Sequence, residues 1–237
     1  MRKFLIAALL PLAACGNDAD DRAGIQGTGT GDARSYAVAG FSRVAAAGSD
    51  DVDVRVGPAF SVRAEGDSDV LDRLKIERDG DALKIGRRSG NFFSSGEAKV
   101  FVTMPALSGA SLAGSGDMAI DRAQGDGLKA SLAGSGNIRF AQVAVGKAEF
   151  SIAGSGDIEA AGTAKALEVS IAGSGDVKAK DLTASQADIR IAGSGSVRAT
   201  VNGPAKVRAA GSGDVDLGAG ARCDTKDLGS GEVTCGG

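Results

Sequence analysis

The chain has 237 residues, with 27 Lys and Arg against 30 Asp and Glu, a formal net charge of −3, and neither His nor Trp. That mildly acidic balance offers no electrostatic case for binding nucleic acid or an anionic membrane surface. Without His there is no Ser-His-Asp arrangement and no usual general base, which sets His-dependent hydrolytic chemistry aside.

Chain order begins with Met1-Arg2-Lys3 and an apolar run from Phe4 to Ala14. The run is too short to span a bilayer and is built like a secretory signal. It ends Leu12-Ala13-Ala14-Cys15, which resembles the lipobox of bacterial lipoproteins. The resemblance implies removal of residues 1–14, a lipid anchor on Cys15 and, with Gly16 as the second mature residue, sorting to the outer membrane. Losing Arg2 and Lys3 moves the formal charge from −3 to −5. Residues 15–35 are rich in Asp, Gly and Thr with little to bury, and read as a flexible tether.

A single β-domain is expected over 36–237, opening with irregular coils over 36–107. Val52, Val54 and Val56 alternate with Asp51, Asp53 and Arg55, and Gly57-Pro58 turns the chain toward Phe60, Val62 and Ala64. One helical turn fits Asp67–Arg73. Leu74 and Ile76, then Asp79-Gly80, then Leu83 and Ile85 spell a hairpin. Arg87–Gly96 reads as a protruding loop whose Phe92-Phe93 packs back on the core or marks a contact surface. Lys99–Thr103 is a strand stopped at Pro105. This half is expected to cap an edge that would otherwise invite pairing with another chain.

Over 108–237 a phrase recurs. Gly-Ser-Gly begins at Gly114, Gly134, Gly154, Gly173, Gly193, Gly211 and Gly229, in steps of 20, 20, 19, 20, 18 and 18 residues. A period near 20 marks a solenoid, in which each rung buries its apolar side only by stacking on its neighbours. Four places after the first Gly stand Met118, Ile138, Ile158, Val177, Val197, Val215 and Val233, and two places before it Leu112, Leu132, Ile152, Ile171 and Ile191. Polar residues fall between, so each repeat reads as two short strands flanking a glycine corner, where Gly reaches positive φ without a Cβ clash. Two glycines per repeat would each cost about 1 kcal/mol in a helix. The expected architecture is all-β: a single-stranded, right-handed parallel β-helix of about 18–20 residues per coil, with a narrow aliphatic core and little room for aromatics.

Cys223 and Cys235 stand six residues either side of Gly229, on the inward parity of the last coil. A disulfide closing that coil is expected, with two buried free thiols as the plainer reading; no third soft ligand accompanies them for a metal.

The series Phe41-Ser42-Arg43-Val44, Asp51-Val52-Asp53-Val54-Arg55-Val56-Gly57, Leu83-Lys84-Ile85 and then Gly-Ser-Gly-Asp rungs resembles the auto-transporter adhesin head GIN domains, DUF2807. The resemblance runs from about Tyr36 to Gly237. It implies a β-helical fold in a secreted or lipid-anchored protein and says little about ligand. None of these residues reads as an autotransporter barrel or coiled-coil stalk, so the export route in the family's name is not expected to carry over.

Chemistry, if present, would sit on the ladder after the corner: Asp117, Asn137, Asp157, Asp176, Ser196, Asp214 and Glu232. Capping of turn N–H groups is the simpler role for such residues; a cation ladder at Asp157 and Asp176 is the alternative. The pair Asp50-Asp51 is the remaining carboxylate candidate. No catalytic residue and no cofactor is assigned. The function expected is a non-catalytic, envelope-anchored binding or adhesion module with a glycan or surface-protein ligand. The alternatives are a glycan-processing enzyme of the β-helix type, or a structural envelope protein without a specific ligand.

Overall fold

The computed structural model describes residues 24–88, 96–227 and 229–236, the side chain of residue 227 excepted. Cys15, the signal segment and Phe92-Phe93 lie outside the described residues.

The first part of the chain folds back on itself. Strands β1 (Gly27–Thr28), β2 (Ala33–Tyr36), β3 (Arg43–Gly48), β4 (Asp51–Val56) and β5 (Ser61–Glu65) precede the short helix α1 (Ser68–Leu71). Strands β6 (Leu74–Asp79), β7 (Ala82–Arg87) and β8 (Lys99–Met104) follow. β1 pairs with β2, β2 with β5 and β5 with β8, all antiparallel. β6 and β7 form the expected hairpin around Gly80. The expected helical turn is α1, which sinks Val70 and Leu71 into the core.

One expectation is corrected. The part of the 15–35 tether that is described belongs to the fold: the Ile25 N–H donates to the Ile76 carbonyl at 2.7 Å, and β2 pairs along its length with β5. The glycines there serve a tight β1–β2 turn, with Gly29 and Gly31 at positive φ, and do not signal flexibility.

From β9 (Gly109–Gly114) onward the chain coils. β10 (Asp117–Ile120), β11 (Ala123–Gly134), β12 (Asn137–Gly154), β13 (Ile158–Gly173) and β14 (Val177–Gly193) come first. β15 (Val197–Val201), β16 (Gly203–Gly211), β17 (Val215–Asp216), β18 (Ala221–Asp227) and β19 (Val233–Thr234) complete the stack. Each coil pairs in parallel with the next, in a β-solenoid of about six turns. The register sets Gly134 on Gly154 and Gly154 on Gly173. The cap joins the same stack, because β3 pairs in parallel with β9 and β4 with β10. One continuous core runs from Tyr36 to Ala221.

The coil has three sides where the sequence suggested two. In β12 the inward residues are Ile138 and Phe140, then Val143 and Val145, then Ala148, Phe150 and Ile152. Two consecutive unburied residues, Ala141-Gln142 and Gly146-Lys147, reset the alternation at each extra bend. Such bends need no special residue at Ala141-Gln142, so period-two reading runs straight past them. The core also takes more aromatic bulk than expected. Phe140 and Phe150 sit inside one coil with ring centroids 6.0 Å apart, each contributing about 2–3 kcal/mol of burial.

Candidate functional site

The corner explains its own sequence. In Gly114 through Gly211 the first glycine holds φ between 127° and 140°, a region that side chains resist. Its carbonyl accepts two N–H groups from the next coil: Gly114 takes Ser135 at 2.9 Å and Gly136 at 3.1 Å. A Cβ on Gly134 would run into the Gly114 carbonyl oxygen, and one on Gly136 into the Gly116 carbonyl oxygen and the Leu112 side chain. Both glycines therefore leave room for the coil behind them.

That rule exposes a corner the sequence reading missed. Gly48 lies in register with Gly114, and among the described residues nothing stands within 4 Å of where its Cβ would be. With no corner behind it, the second glycine is free to become Asp50. Gly48-Ser49-Asp50 is the opening corner, disguised by that one replacement.

Asp50 is 4% exposed. Its Oδ2 accepts Arg87 Nε at 2.9 Å, and its Oδ1 accepts Arg87 Nη2 at 2.5 Å and the Ala98 N–H at 2.8 Å. Arg87 Nη2 also donates to the Gly96 carbonyl at 2.6 Å. The Asp50 hydrogen bond raises the Arg87 pKa, so the guanidinium stays charged. The two members of the Asp50-Asp51 pair have different partners, because Asp51 Oδ1 accepts the Asp117 N–H at 2.9 Å.

Asp51 starts the ladder singled out above. Asp117 accepts the Asn137 N–H at 3.0 Å, Asn137 the Asp157 N–H at 3.2 Å, and Asp157 the Asp176 N–H at 2.9 Å. Asp176 then accepts the Ser196 N–H at 2.8 Å, Ser196 Oγ the Asp214 N–H at 3.3 Å, and Asp214 the Glu232 N–H at 2.9 Å. The cap reaches across coils, not within its own turn. Asn and Ser interrupt nothing, since each supplies the short oxygen acceptor that the position needs. Asp157 Oδ2 also takes Lys178 Nζ at 2.5 Å, which raises the Lys178 pKa. Among the described residues no group of three or more His, Cys, Asp or Glu is placed to hold a metal ion.

Cys223 and Cys235 form a disulfide, their Cα atoms 6.2 Å apart, which ties β18 to the chain after β19.

A broad recess lies elsewhere, on the outer face of the strands leading into the corner. Its volume is about 1330 Å³. In-register pairing aligns two outward rows across β3, β9, β11, β12 and β13: Ala45, Ser111, Ser131, Ser151, Ser170 and Ala47, Ala113, Ala133, Ala153, Ala172. Side chains this small leave a trough. At the cap end the β6–β7 hairpin raises a wall bearing Lys75, Glu77, Lys84 and Arg87, with Gln26 and Arg88 beside it. Lys75 pairs with Glu77 at 3.1 Å and Lys84 with Asp79 at 2.7 Å. At the other end the serine row gives way to Arg190 and then Arg208. The repeated Ser-Leu-Ala-Gly and Ser-Ile-Ala-Gly phrases were the signal for this floor.

With that geometry in place, comparison identifies the family. The DUF2807 profile, "Putative auto-transporter adhesin, head GIN domain", matches residues 40–221. The chain belongs to the DUF2807 family. Solved structures share the fold of this DUF2807 protein at low identity. A "putative adhesin" from Bacteroides fragilis NCTC 9343 is 20% identical with a TM-score of 0.77, covering 90% of this chain and 100% of its own. A "putative lipid binding protein" from Parabacteroides distasonis ATCC 8503 is 22% identical with a TM-score of 0.69, covering 88% and 98%. A "putative adhesin" from Parabacteroides merdae ATCC 43184 is 18% identical with a TM-score of 0.63, covering 90% and 100%. No curated protein matches the chain. Among the described residues no helix is long and apolar enough to cross a membrane.

Proposed function

We propose that this DUF2807 protein is a non-catalytic binding module of the cell envelope, tethered through a lipid on Cys15 to the outer membrane. The trough carries the reading. Four successive coils and the cap present small side chains in fixed register, which makes a rigid contact surface of a single repeated chemistry. Catalysis calls for convergent acid, base or nucleophile groups; here the corner carboxylates hold backbone N–H groups of the next coil instead. The family's adhesin description and the adhesin and lipid-binding descriptions of the structural neighbours agree with a binding role. In the chain with Cys15→Ser, a glycan and surface-protein array should return binding, and a lyase and hydrolase screen should return no turnover. Turnover that survives purification would overturn the reading. Mass spectrometry of the mature wild-type N-terminus should find an acylated Cys15; an unmodified cysteine would remove the anchor from the proposal.

A further inference from the structure

We infer that the trough is a site for a single anionic amphiphile, its acyl chain lying across the Ala and Ser rows and its acidic headgroup at the β6–β7 wall. The inference rests on the binding role proposed above and names its ligand class. Three observations carry it.

The first is shape. From β7 through β3, β9, β11 and β12 to β13 there are five inter-strand steps, about 24 Å at ~4.8 Å each. The acyl layer of one membrane leaflet is about 15 Å, half of a ~30 Å hydrocarbon core, so a lipid tail fits lengthwise with room for its headgroup.

The second is the floor. One full row is alanine methyl groups, and Leu112, Leu132 and Ile152 reach the lining from beneath. Among the described residues no aromatic side chain lines the recess, so the Ala and Ser rows themselves offer a sugar ring no stacking platform. A methylene chain gains from any apolar floor and needs none.

The third is charge. The chain as a whole is acidic at −3, yet among the described residues the charged side chains of the lining are the cations Lys75, Lys84, Arg87 and Arg88 and the carboxylate of Glu77. Arg87 is committed to buried Asp50. Lys84, with its side chain about half exposed, holds Asp79 in a surface pair, an interaction of the weak, exchangeable kind. Arg88, four residues further along and about 13 Å away in extended chain, is exposed. Lys84 and Arg88, at two separate points of the wall, are therefore the cations that would meet an acidic headgroup.

The test uses the full-length chain with Cys15→Ser and palmitate as the probe, followed by calorimetry, with palmityl alcohol as the uncharged control. Palmitate should bind at one site. Ala133→Glu, an outward substitution in the middle of the floor, should abolish binding while leaving the melting temperature in place. Lys84→Ala with Arg88→Ala should weaken palmitate by about tenfold and leave palmityl alcohol unchanged. Palmitate binding that survives Ala133→Glu, or no binding at all, overturns the inference. So does co-sedimentation with phosphatidylglycerol vesicles that Ala133→Glu leaves intact, which would mean a membrane surface is recognised and not a single amphiphile. Array ligands retained by Ala133→Glu, with palmitate silent, would sink this site while leaving the binding role standing.

Discussion

In the regular coils each strand finds its partner one turn along the chain, so parallel ladders run up the stack, one from β9 to β18 and another from β10 to β19. In the cap the chain reverses instead, and β1, β2, β5 and β6 all pair antiparallel. The two regions share one core but answer different questions. A middle coil must fit between two copies of itself, which forces glycine at both corner positions. The opening corner has a glycine corner stacked on one side only, so its second position can hold a charge, and there Asp50 binds Arg87 and the Ala98 N–H of the cap. The lesson is that the residue at a repeat position reports what lies behind it as much as what local conformation it needs.

That contrast can be broken by mutation, starting in the middle of the stack. Val177 is fully buried on the inward row. Val177→Asp should cost more than about 5 kcal/mol, since an unpaired charge in so thin a core has no route to water. Loss of the cooperative melt checks it, and a wild-type melting curve would mean that position 177 does not face inward. Next come the corners. Gly154→Ala meets both a positive φ and the Gly134 carbonyl, and should cost about 4 kcal/mol in chemical denaturation. Gly48→Ala meets only its φ of 115°, for about 1–2 kcal/mol. Equal losses at the two sites would refute the idea that stacking, and not φ alone, demands glycine.

The carboxylates give a smaller contrast. Asp50→Ala strands a largely buried guanidinium and the Ala98 N–H, which should cost about 3 kcal/mol. Asp157→Ala removes one cap and one Lys178 pair at a more open corner, about 1 kcal/mol. Denaturant midpoints for the two variants would decide whether the cap's charge is worth more than a ladder rung. Smallest in reach is the disulfide. Reducing Cys223–Cys235 releases a sequence separation of 12 residues, worth about 3 kcal/mol in the chain-entropy account. Because coils contact only their neighbours, hydrogen exchange should quicken over β18 and β19 and stay unchanged over β9 and β10. Acceleration across the whole stack would show that the last coil holds the others in place.

Much of this was readable in advance because it is local. A repeat near 20 residues, aliphatics two before and four after each corner, and a short hairpin around Asp79-Gly80 all follow from the residues alone. Inward parity held at Met118, Ile138, Ile158, Val177 and Val197, all of them buried. The misses have a common cause. Ala141-Gln142 bends a coil without a turn residue, Gly29 and Gly31 tighten a turn where composition suggested slack, and Asp50 hides a corner.

By itself, then, the amino-acid sequence determined the coil, its period, its buried side and its membership of the DUF2807 fold, since period-two alternation and glycine spacing act over a few neighbouring residues. Only the tertiary structure decided the third side of each coil, the opening corner, the partner of each ladder carboxylate and the trough. Those depend on which strand lies beside which, and the deciding contacts join residues as far apart as Asp51 and Asp117, 66 positions along the chain. No local pattern spans that distance; the stacked backbone does.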